Sequence, residues 1–423
     1  MVRCLWKGGT MKLSIVICVY NTSRPYFREC LEAIRGSTLS FSDYEILVVD
    51  DGSEVDYSDF IEKYNIRYVK TENRGILAAR MYALKLAEGD YVHFYDSDDC
   101  STFNYHAPML LKAERENADI VINDWAFLSE RAKYICTRDT TIKGDISYSG
   151  DDVLKAFASQ CGREHAYFVL WNKIFKREVL LKAVKEIEAL DLTMSPVHYS
   201  EDALINFFAF KNARRLVNIH TGYYFYRIHP RQSVNVSSKD KLISQVTSMT
   251  DTLGAMMNNI GDNVHKEYIY DCIQKWNELM ARSHYSYAKT KKYLDVIPYI
   301  KQRYGIEKLR TSTFKDGSAY TKNRILAENF SEIDCALMKL FKMSDTPTDA
   351  CYDKSDDYIR SSVEHMCEHQ GKIIAWSKDA KNVIPEAKIS FKTKFLHNHI
   401  VYSAGMILFK KGSKIRAFLK KRF

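Results

Sequence analysis

The chain has 423 residues, of which 46% are hydrophobic, so it can bury a large core and is too long for one ordinary domain. It carries 62 lysines and arginines against 53 aspartates and glutamates, and this net charge of +9 suits a phosphorylated substrate, nucleic acid or an anionic membrane. Only 7 prolines and 17 glycines occur, without repeats, which argues against a long disordered region.

The first part of the chain alternates between buried strands and helices. Residues 13–21, LSIVICVYN, are rich in β-branched residues, which is typical of a strand buried on both faces of a parallel sheet. In chain order we expect a strand at 13–21, a helix at 26–36, strands at 44–53 and 66–70, a helix at 75–88 and a strand at 90–95. Polar residues follow these strands, at the edge where α/β sheets bind ligands.

Beyond the fourth strand the pattern becomes less regular and then helical. We expect a helix at 107–118, a strand at 120–124, helices at 151–160, 177–189 and 202–211, and extended segments within 216–227. After Ser238 the chain is almost free of proline and shows apolar residues at helical spacing. We therefore divide it into an N-terminal extension at 1–11, an α/β domain at 12–238, a helical region at 239–344 and a mixed region at 345–423.

The cysteines and the chain ends bear on the cellular compartment. Ten cysteines are scattered without a CxxC pair, which indicates reduced thiols in a cytoplasmic protein. Residues 1–10 lack the apolar core of a signal peptide, and Met11 is a candidate natural start. The apolar stretch at 400–409 is far shorter than the ~20 residues of a spanning helix, so we expect no transmembrane segment.

Two acidic clusters end buried strands. In DSDD, carboxylates one residue apart can converge on a hard divalent cation, and Mg²⁺ or Mn²⁺ prefers such oxygen ligands. Asp50 and Asp51 end the second strand, and the two strand ends share one edge of a parallel sheet. For DSDD alone, a solvated acidic turn remains an alternative, but the neighbouring acids favour a metal and phosphate site.

The ordered set of motifs resembles family 2 glycosyltransferases. These motifs are SIVICVYN, VVDDGS, ENRGILAARMYALKLAEGDY, FYDSDD, WNKIF, SEDALINFF and YRIHPRQS, and they extend over roughly residues 13–238. The resemblance implies a GT-A fold, in which a Rossmann-like mixed sheet is flanked by helices, here with a mainly helical C-terminal extension. We expect Trp171 and Lys173 of WNKIF to be structural, because a tryptophan in a helix or turn usually packs.

For the donor, the resemblance implies contacts at the first two strand ends. Tyr20 and Asn21 would line the pocket for the nucleobase, and Asp51, supported by Asp50, would hold the base or the ribose. For Tyr20, plain packing over the core is the alternative that stays open.

The resemblance also places the DxD positions of the family at Asp96 and Asp98, with Asp99 sharing in metal coordination through the diphosphate. Arg80 matches an arginine in the family's ARN element, although Met81 replaces the usual asparagine. Its role would be supporting, and a structural ion pair with an acid of the second strand is an equal alternative.

For the acceptor side, Glu201 and Asp202 resemble the family's ED pair. Asp202 would be the general base that takes the proton of the acceptor hydroxyl, with Glu201 orienting it. A helix N-cap is the alternative for these acids. His229 would ligate the metal or hydrogen-bond the diphosphate, and Arg227 and Arg231 would clamp phosphate, although a lone histidine is usually structural.

The C-terminal segment, Lys388 to Phe423, is basic. It contains no acidic residue, while lysines and arginines alternate with insertable apolar side chains. This pattern suits an interfacial membrane segment, although nucleic acid, a protein partner or a solvated tail would produce it too. For a glycosyltransferase we favour the membrane, so we expect a cytoplasmic enzyme held peripherally at the inner face of the cell membrane.

The sequence thus predicts an inverting glycosyltransferase that uses Mn²⁺ or Mg²⁺. It would move a sugar from a nucleotide donor, expected to be UDP-linked, to an acceptor hydroxyl in surface polysaccharide, teichoic acid or glycolipid synthesis. A non-catalytic nucleotide-sugar-binding or scaffold protein is the main alternative. A nucleotidyltransferase is a weaker one, because the glycine-rich basic loop after the first strand is missing.

Overall fold

The computed structural model describes residues 12–40, 42–129, 134–136, 144–161, 165–190, 199–228 and 238–309. The strands are β1 Leu13–Val19, β2 Tyr44–Asp50, β3 Arg67–Lys70, β4 Tyr91–Phe94, β5 Cys100–Ser101, β6 Ile120–Ile122, β7 Trp125–Ser129, β8 Tyr134–Cys136, β9 Ser147–Ser149, β10 Lys173–Lys176, β11 Arg215–Asn218 and β12 Tyr224–Ile228. The helices are α1 Arg24–Arg35, α2 Ser58–Lys63, α3 Ile76–Leu86, α4 His106–Glu116, α5 Asp152–Ser159, α6 Arg177–Glu188, α7 Glu201–Asn212, α8 Lys239–Asn258, α9 Lys266–Thr290 and α10 Ile297–Tyr304.

The central sheet is mixed, with the order β3-β2-β1-β4-β10-β6-β11-β9. Strands β3, β2, β1 and β4 run parallel, whereas β10 is antiparallel to both β4 and β6. A second sheet has the order β5-β12-β7-β8. The large mixed sheet flanked by helices confirms the predicted fold class.

Successive side chains of β1 point to opposite faces of the sheet, so they belong to two different hydrophobic cores. Val16 belongs to the core formed with α3 and α5–α7, whereas Ile15 and Ile17 belong to the core formed with α1, α2 and α4. Burial on both faces explains why the strand is apolar at every position except Ser14.

The helical region packs onto the sheet domain. Residues of α8, α9 and α10 lie in the same hydrophobic core as Val16. Helix α8 begins directly after Ser238, whose hydroxyl accepts a hydrogen bond from the backbone amide of Lys241 at 3.2 Å. Because one core continues across this point, the predicted division into domains stays a prediction. The helices expected up to residue 344 extend past the last described residue, and the mixed region 345–423 lies outside the described residues.

The second sheet was not predicted. The extended segment expected at 216–227 divides into β11 and β12, which belong to different sheets. Between them Gly222 has φ +73°, and a Cβ there would lie 2.5 Å from the hydroxyl oxygen of Thr102. Glycine therefore permits both the left-handed turn and the close approach that bring β12 to β5.

Two further observations concern thiols and membrane helices. Among the described residues, Cys18, Cys30, Cys100, Cys161 and Cys272 form no disulfide. Within the part of the chain that the structure describes, no helix is both long enough and apolar enough to cross a bilayer.

Candidate active site

The DSDD turn follows β4 at the edge where β1 and β2 also end. Its first peptide is fixed by a hydrogen bond from the backbone amide of Asp96 to the hydroxyl of Tyr224, at 3.0 Å. Within the turn, the amide of Asp99 donates to the carbonyl of Asp96 at 3.2 Å. The sheet therefore presents these carboxylates at its carboxyl edge, as predicted.

Arg80 of α3 joins the two acidic motifs. Its guanidinium lies 3.0 Å from a carboxylate oxygen of Asp96 and 3.0 Å from one of Glu201, and it also pairs with Asp202. The arginine side chain is only 6% exposed. We call Arg80, Asp96, Glu201 and Asp202 the charge cluster. The alternative pairing of Arg80 with an acid of the second strand was wrong, because α7 supplies nearer partners.

The first turn of α7 places Glu201 and Asp202 in the charge cluster. Ser200, immediately before it, has φ +69°, and its hydroxyl donates to the hydroxyl of Thr252 at 2.9 Å. Thr252 lies in α8, so the helical region supports the turn that carries the predicted base.

Burial shifts the acidity of the charge cluster. Burial raises the pKa of Asp96 to about 7, with the Arg80 charge opposing the shift and the Asp202 charge adding to it. Burial, together with the negative charge of Asp202, also raises the pKa of Glu201 to about 7, against the opposing effect of Arg80. Asp96 and Glu201 therefore change between their protonated and ionised forms near neutral pH. In that range a bound cation would compete with protons for these carboxylates.

We expect Arg80→Met to lower the free energy of unfolding by ~3 kcal/mol at pH 8, because it leaves buried carboxylates without a counter-charge. Arg80 lowers the pKa of Asp96 and of Glu201, so its stabilisation is present where these groups are ionised and shrinks as the pH falls below 7. Urea unfolding at pH 8 and pH 6 measures this difference. Arg74→Met, at an exposed arginine just before α3, is the control; equal stability of the Arg80 and Arg74 variants at pH 8 would contradict the assignment.

Arg227 lies behind the DSDD turn. Its backbone amide donates to a carboxylate oxygen of Asp99 at 2.7 Å, and its Nε donates to the carbonyl of Asp98 at 2.6 Å. The side chain is 1% exposed and pairs with Glu29. Burial raises the pKa of Asp99 well above its usual range. Arg227 and Asp99 therefore brace the turn, and their predicted contacts with phosphate and metal stay predictions.

Asp50 and Asp51 bind backbone and side-chain groups at the end of β2. The carboxylate of Asp51 accepts the amides of Arg74 at 2.8 Å and Gly75 at 2.9 Å, at the start of α3. Asp50 accepts the amide of Ser53 at 2.7 Å and the hydroxyl of Tyr68. Asp51 thereby helps to set the position of the helix that carries Arg80. The nucleotide contacts predicted for both aspartates are untested.

Tyr20 and Asn21 follow β1 at the same edge. The side chain of Tyr20 is 55% exposed, so the alternative that it packs over the core was wrong. Asn21 has φ +51°, and its side-chain oxygen accepts the amide of Glu54 at 2.8 Å. An exposed aromatic ring at this edge is available to a planar ligand, and its predicted contact with the nucleobase is untested.

Sequence reasoning missed two residues of β12. Tyr224 bonds the amide of Asp96, and Tyr226 lies near enough to Asp96, Asp98, Asp99 and Asp202 for their charge to raise its pKa, in addition to the effect of burial. Tyr224 and Tyr226 are two residues apart in a strand, so their side chains lie on the same face of the sheet. Nothing in the sequence identified what that face contacts. His229 and Arg231 lie outside the described residues.

A family model described as glycosyl transferase family 2 matches residues 14–131. A Bacillus subtilis protein named "Putative glycosyltransferase EpsH" is 28% identical over 269 residues, which are 61% of this chain and 73% of EpsH. The poly(ribitol-phosphate) beta-glucosyltransferase of Bacillus spizizenii is 42% identical over 96 residues, 21% of this chain and 15% of that protein. Residues 1–349 of S. aureus TarS in complex with UDP-GlcNAc match with a TM-score of 0.53 and 19% identity, over 85% of this chain and 92% of that one. At 19% identity, the match to TarS shows a similar fold and nothing more.

Proposed function

We propose that this chain, which matches the glycosyl transferase family 2 model over residues 14–131 and has the GT-A fold, transfers a sugar, with inversion, from a UDP-linked donor to a hydroxyl of a cell-surface glycan. The observation that carries the proposal is the charge cluster, in which Arg80 joins the DSDD turn to the ED turn. One arginine side chain thus contacts both Asp96, at the edge proposed to bind the donor, and Asp202, the proposed base. The TarS structures with UDP-GlcNAc and UDP support a uridine nucleotide. Two relatives, named "Minor teichoic acid biosynthesis protein GgaB" and "Poly(ribitol-phosphate) beta-glucosyltransferase", support a surface glycan.

In the proposed reaction, Asp202 is the base. Its carboxylate takes the proton of the acceptor hydroxyl while that oxygen attacks the anomeric carbon, and the electron pair of the broken bond leaves with the nucleoside diphosphate. Arg80 and Glu201 orient Asp202 in the first turn of α7. Since attack opposes the leaving group, the configuration at the anomeric carbon inverts.

The residues present fit a divalent cation in the chemistry of their donors. Asp96 and Asp98 offer carboxylate oxygens, which Mg²⁺ and Mn²⁺ prefer. Among the described residues no group of three or more His, Cys, Asp or Glu side chains is arranged to hold a metal, so oxygens of the donor diphosphate would complete such a site. When bound, the cation would neutralise negative charge on the departing diphosphate. His229, a further predicted ligand, lies outside the described residues.

Donor binding tests the proposal directly. Nucleotide sugars are screened by thermal shift with Mn²⁺, because a ligand at about 100 times its Kd stabilises a protein by about 2.7 kcal/mol. We expect UDP-sugars to raise the melting temperature and other nucleotide sugars to have smaller effects. No shift with any nucleotide sugar would refute the donor site, whereas a shift without turnover would favour the scaffold alternative.

We also propose that the enzyme lies peripherally at the inner face of the cell membrane, held by Lys388 to Phe423. This segment lies outside the described residues, and the proposal rests on its uninterrupted basic charge. A lysine or arginine near an anionic surface contributes ~1 kcal/mol, so a few engaged side chains suffice.

We expect deletion of Lys388 to Phe423 to release the protein from anionic vesicles while transfer to a soluble acceptor continues. Co-sedimentation at low and high salt measures the attachment, which salt should weaken. Neutral vesicles are the control for charge. Equal sedimentation of the full-length and truncated chains with anionic vesicles would contradict the membrane role, and unfolding on truncation would indicate a structural one.

A further inference from the structure

Three aromatic side chains stack beside the charge cluster. The ring of Trp171 lies nearly parallel to that of Tyr224, at 4.7 Å and 14°, and to that of Tyr226, at 5.4 Å and 19°. Trp171 and Tyr224 are buried, whereas Tyr226 is half-buried. Tyr226 is therefore the member of the stack that remains accessible to a ligand.

Buried polar side chains fix the loop that carries Trp171. The side-chain amide of Asn172 donates to the carbonyl of Ala166 at 3.0 Å, and the side-chain nitrogen of Lys173 donates to the side-chain oxygen of Asn172 at 2.7 Å. Both donors are 0% exposed. Leaving such groups unpaired would be costly, so these bonds hold the loop and its tryptophan in one conformation. The structural role predicted for Lys173 agrees with these contacts.

The same loop is tied to the helix that carries the proposed base. The side-chain amide of Asn206 in α7 donates to the carbonyl of Phe168 at 2.6 Å and to the carbonyl of Asp202 at 2.9 Å. Asn206 is also 0% exposed. One buried amide thus fixes the spacing between the aromatic stack and the turn of Asp202.

Tyr226 lies within electrostatic range of both acidic motifs. Burial raises its pKa well above the usual range, and the charges of Asp99, Asp98, Asp96 and Asp202 raise it further. The phenol therefore stays neutral at physiological pH, and it does not compete with the base for a proton. What Tyr226 offers at this position is an uncharged aromatic face and a hydroxyl group.

We propose that Tyr226, supported from behind by Trp171, forms the floor of the acceptor subsite and receives a pyranose ring. This inference rests on the proposed function, since it assigns the substrate of the same site. The acceptor hydroxyl must reach Asp202, and the stack is held at a fixed spacing from that residue. A pyranose has a flat face of C–H groups that an aromatic ring can bury, whereas a linear polyol chain has no such face.

Purified full-length wild-type enzyme tests the acceptor class. UDP release from the nucleotide sugar selected by thermal shift is measured alone, with methyl pyranosides of glucose, galactose and their N-acetylhexosamine counterparts, and with ribitol 5-phosphate. We expect at least one pyranoside to accelerate release and ribitol 5-phosphate to have no effect. Acceleration by ribitol 5-phosphate alone, or by none of the pyranosides, would overturn the inference. Failure of every nucleotide sugar to bind would instead refute the proposed function, and the inference with it.

Two substitutions of Tyr226 test the aromatic face. We expect Tyr226→Leu to raise the KM for the pyranoside about tenfold, because stacking is lost, and to change the donor KM far less. Tyr226→Phe keeps the ring and should keep a KM for the pyranoside near that of the wild type. An unchanged acceptor KM in Tyr226→Leu, or an equal rise in both variants, would overturn the role of the ring. If Tyr226→Leu does not fold, the wild-type comparison of pyranosides with ribitol 5-phosphate tests the inference by itself.

Discussion

We expect Asp202→Asn to lower the rate of transfer by about 10²- to 10⁴-fold, the usual effect of losing a general base, and to leave donor binding intact. An amide keeps the shape of the carboxylate but cannot accept the proton of the acceptor hydroxyl. Arg80 retains Asp96 and Glu201 as partners in this variant, so the fold of the charge cluster should persist. Single-turnover rates and donor thermal shifts separate the chemical step from binding.

Glu201→Gln is the matched control for Asp202→Asn. Glu201 lies on the same turn of α7 and pairs with the same arginine, but it is expected to orient the base. We expect a smaller loss of rate from this substitution. A loss as large as that of Asp202→Asn would show that the two roles are exchanged or shared. Loss of donor affinity in Asp202→Asn, with an unchanged chemical step, would move Asp202 to the donor site.

The second large effect is expected from the DSDD turn, where Asp96→Ala and Asp98→Ala should each abolish metal-dependent transfer with little loss of stability. Burial raises the pKa of Asp96 to about 7, so ionisation of this side chain costs the fold free energy and does not stabilise it. Removing such a carboxyl therefore disturbs the metal and phosphate site more than the core. Turnover as a function of Mn²⁺ concentration, with urea unfolding alongside, measures both effects.

Glu72→Ala provides the control for the DSDD variants. Glu72 is an exposed acid on the loop between β3 and α3 and has no place in the proposed chemistry. This variant should transfer sugar at the wild-type rate. Near-normal, metal-dependent turnover by both Asp96→Ala and Asp98→Ala would contradict the assignment of DSDD.

The local pattern of the sequence predicts much of the sheet and its acidic edge. Apart from Ser14, the run LSIVICV is apolar on both faces, because Val16 and its neighbours Ile15 and Ile17 fill different cores. Strand β5 has only two residues, and Gly222 sets the turn before β12, so the second sheet left no periodic signal. Such short elements depend on tertiary contacts that the local sequence does not encode.

The contacts of the charge cluster also depend on tertiary structure that the local sequence does not encode. Arg80 is separated from Glu201 by 121 residues and from Asp202 by 122, so sequence proximity pointed to acids of the second strand instead. Arg227 likewise has a partner that its position in the sequence did not indicate, since it is buried against Glu29 behind the DSDD turn, and its predicted contact with phosphate is untested. Residue type and motif identified the acids, while the packing of α3 against the sheet and against α6, which itself packs against α7, decides which of them meet.

Sugar transfer with inversion is tested most directly by a proton NMR time course of the wild-type enzyme with diamagnetic Mg²⁺, the UDP-sugar selected by thermal shift and an accepted pyranoside. We expect UDP to appear together with a new glycoside whose anomeric configuration is opposite to that of the donor, and we expect Asp202→Asn to suppress both signals. An intact donor after full incubation, in a protein that binds it, would contradict the claim of transfer. A product with the donor's own anomeric configuration would contradict inversion and the role of Asp202 as the base.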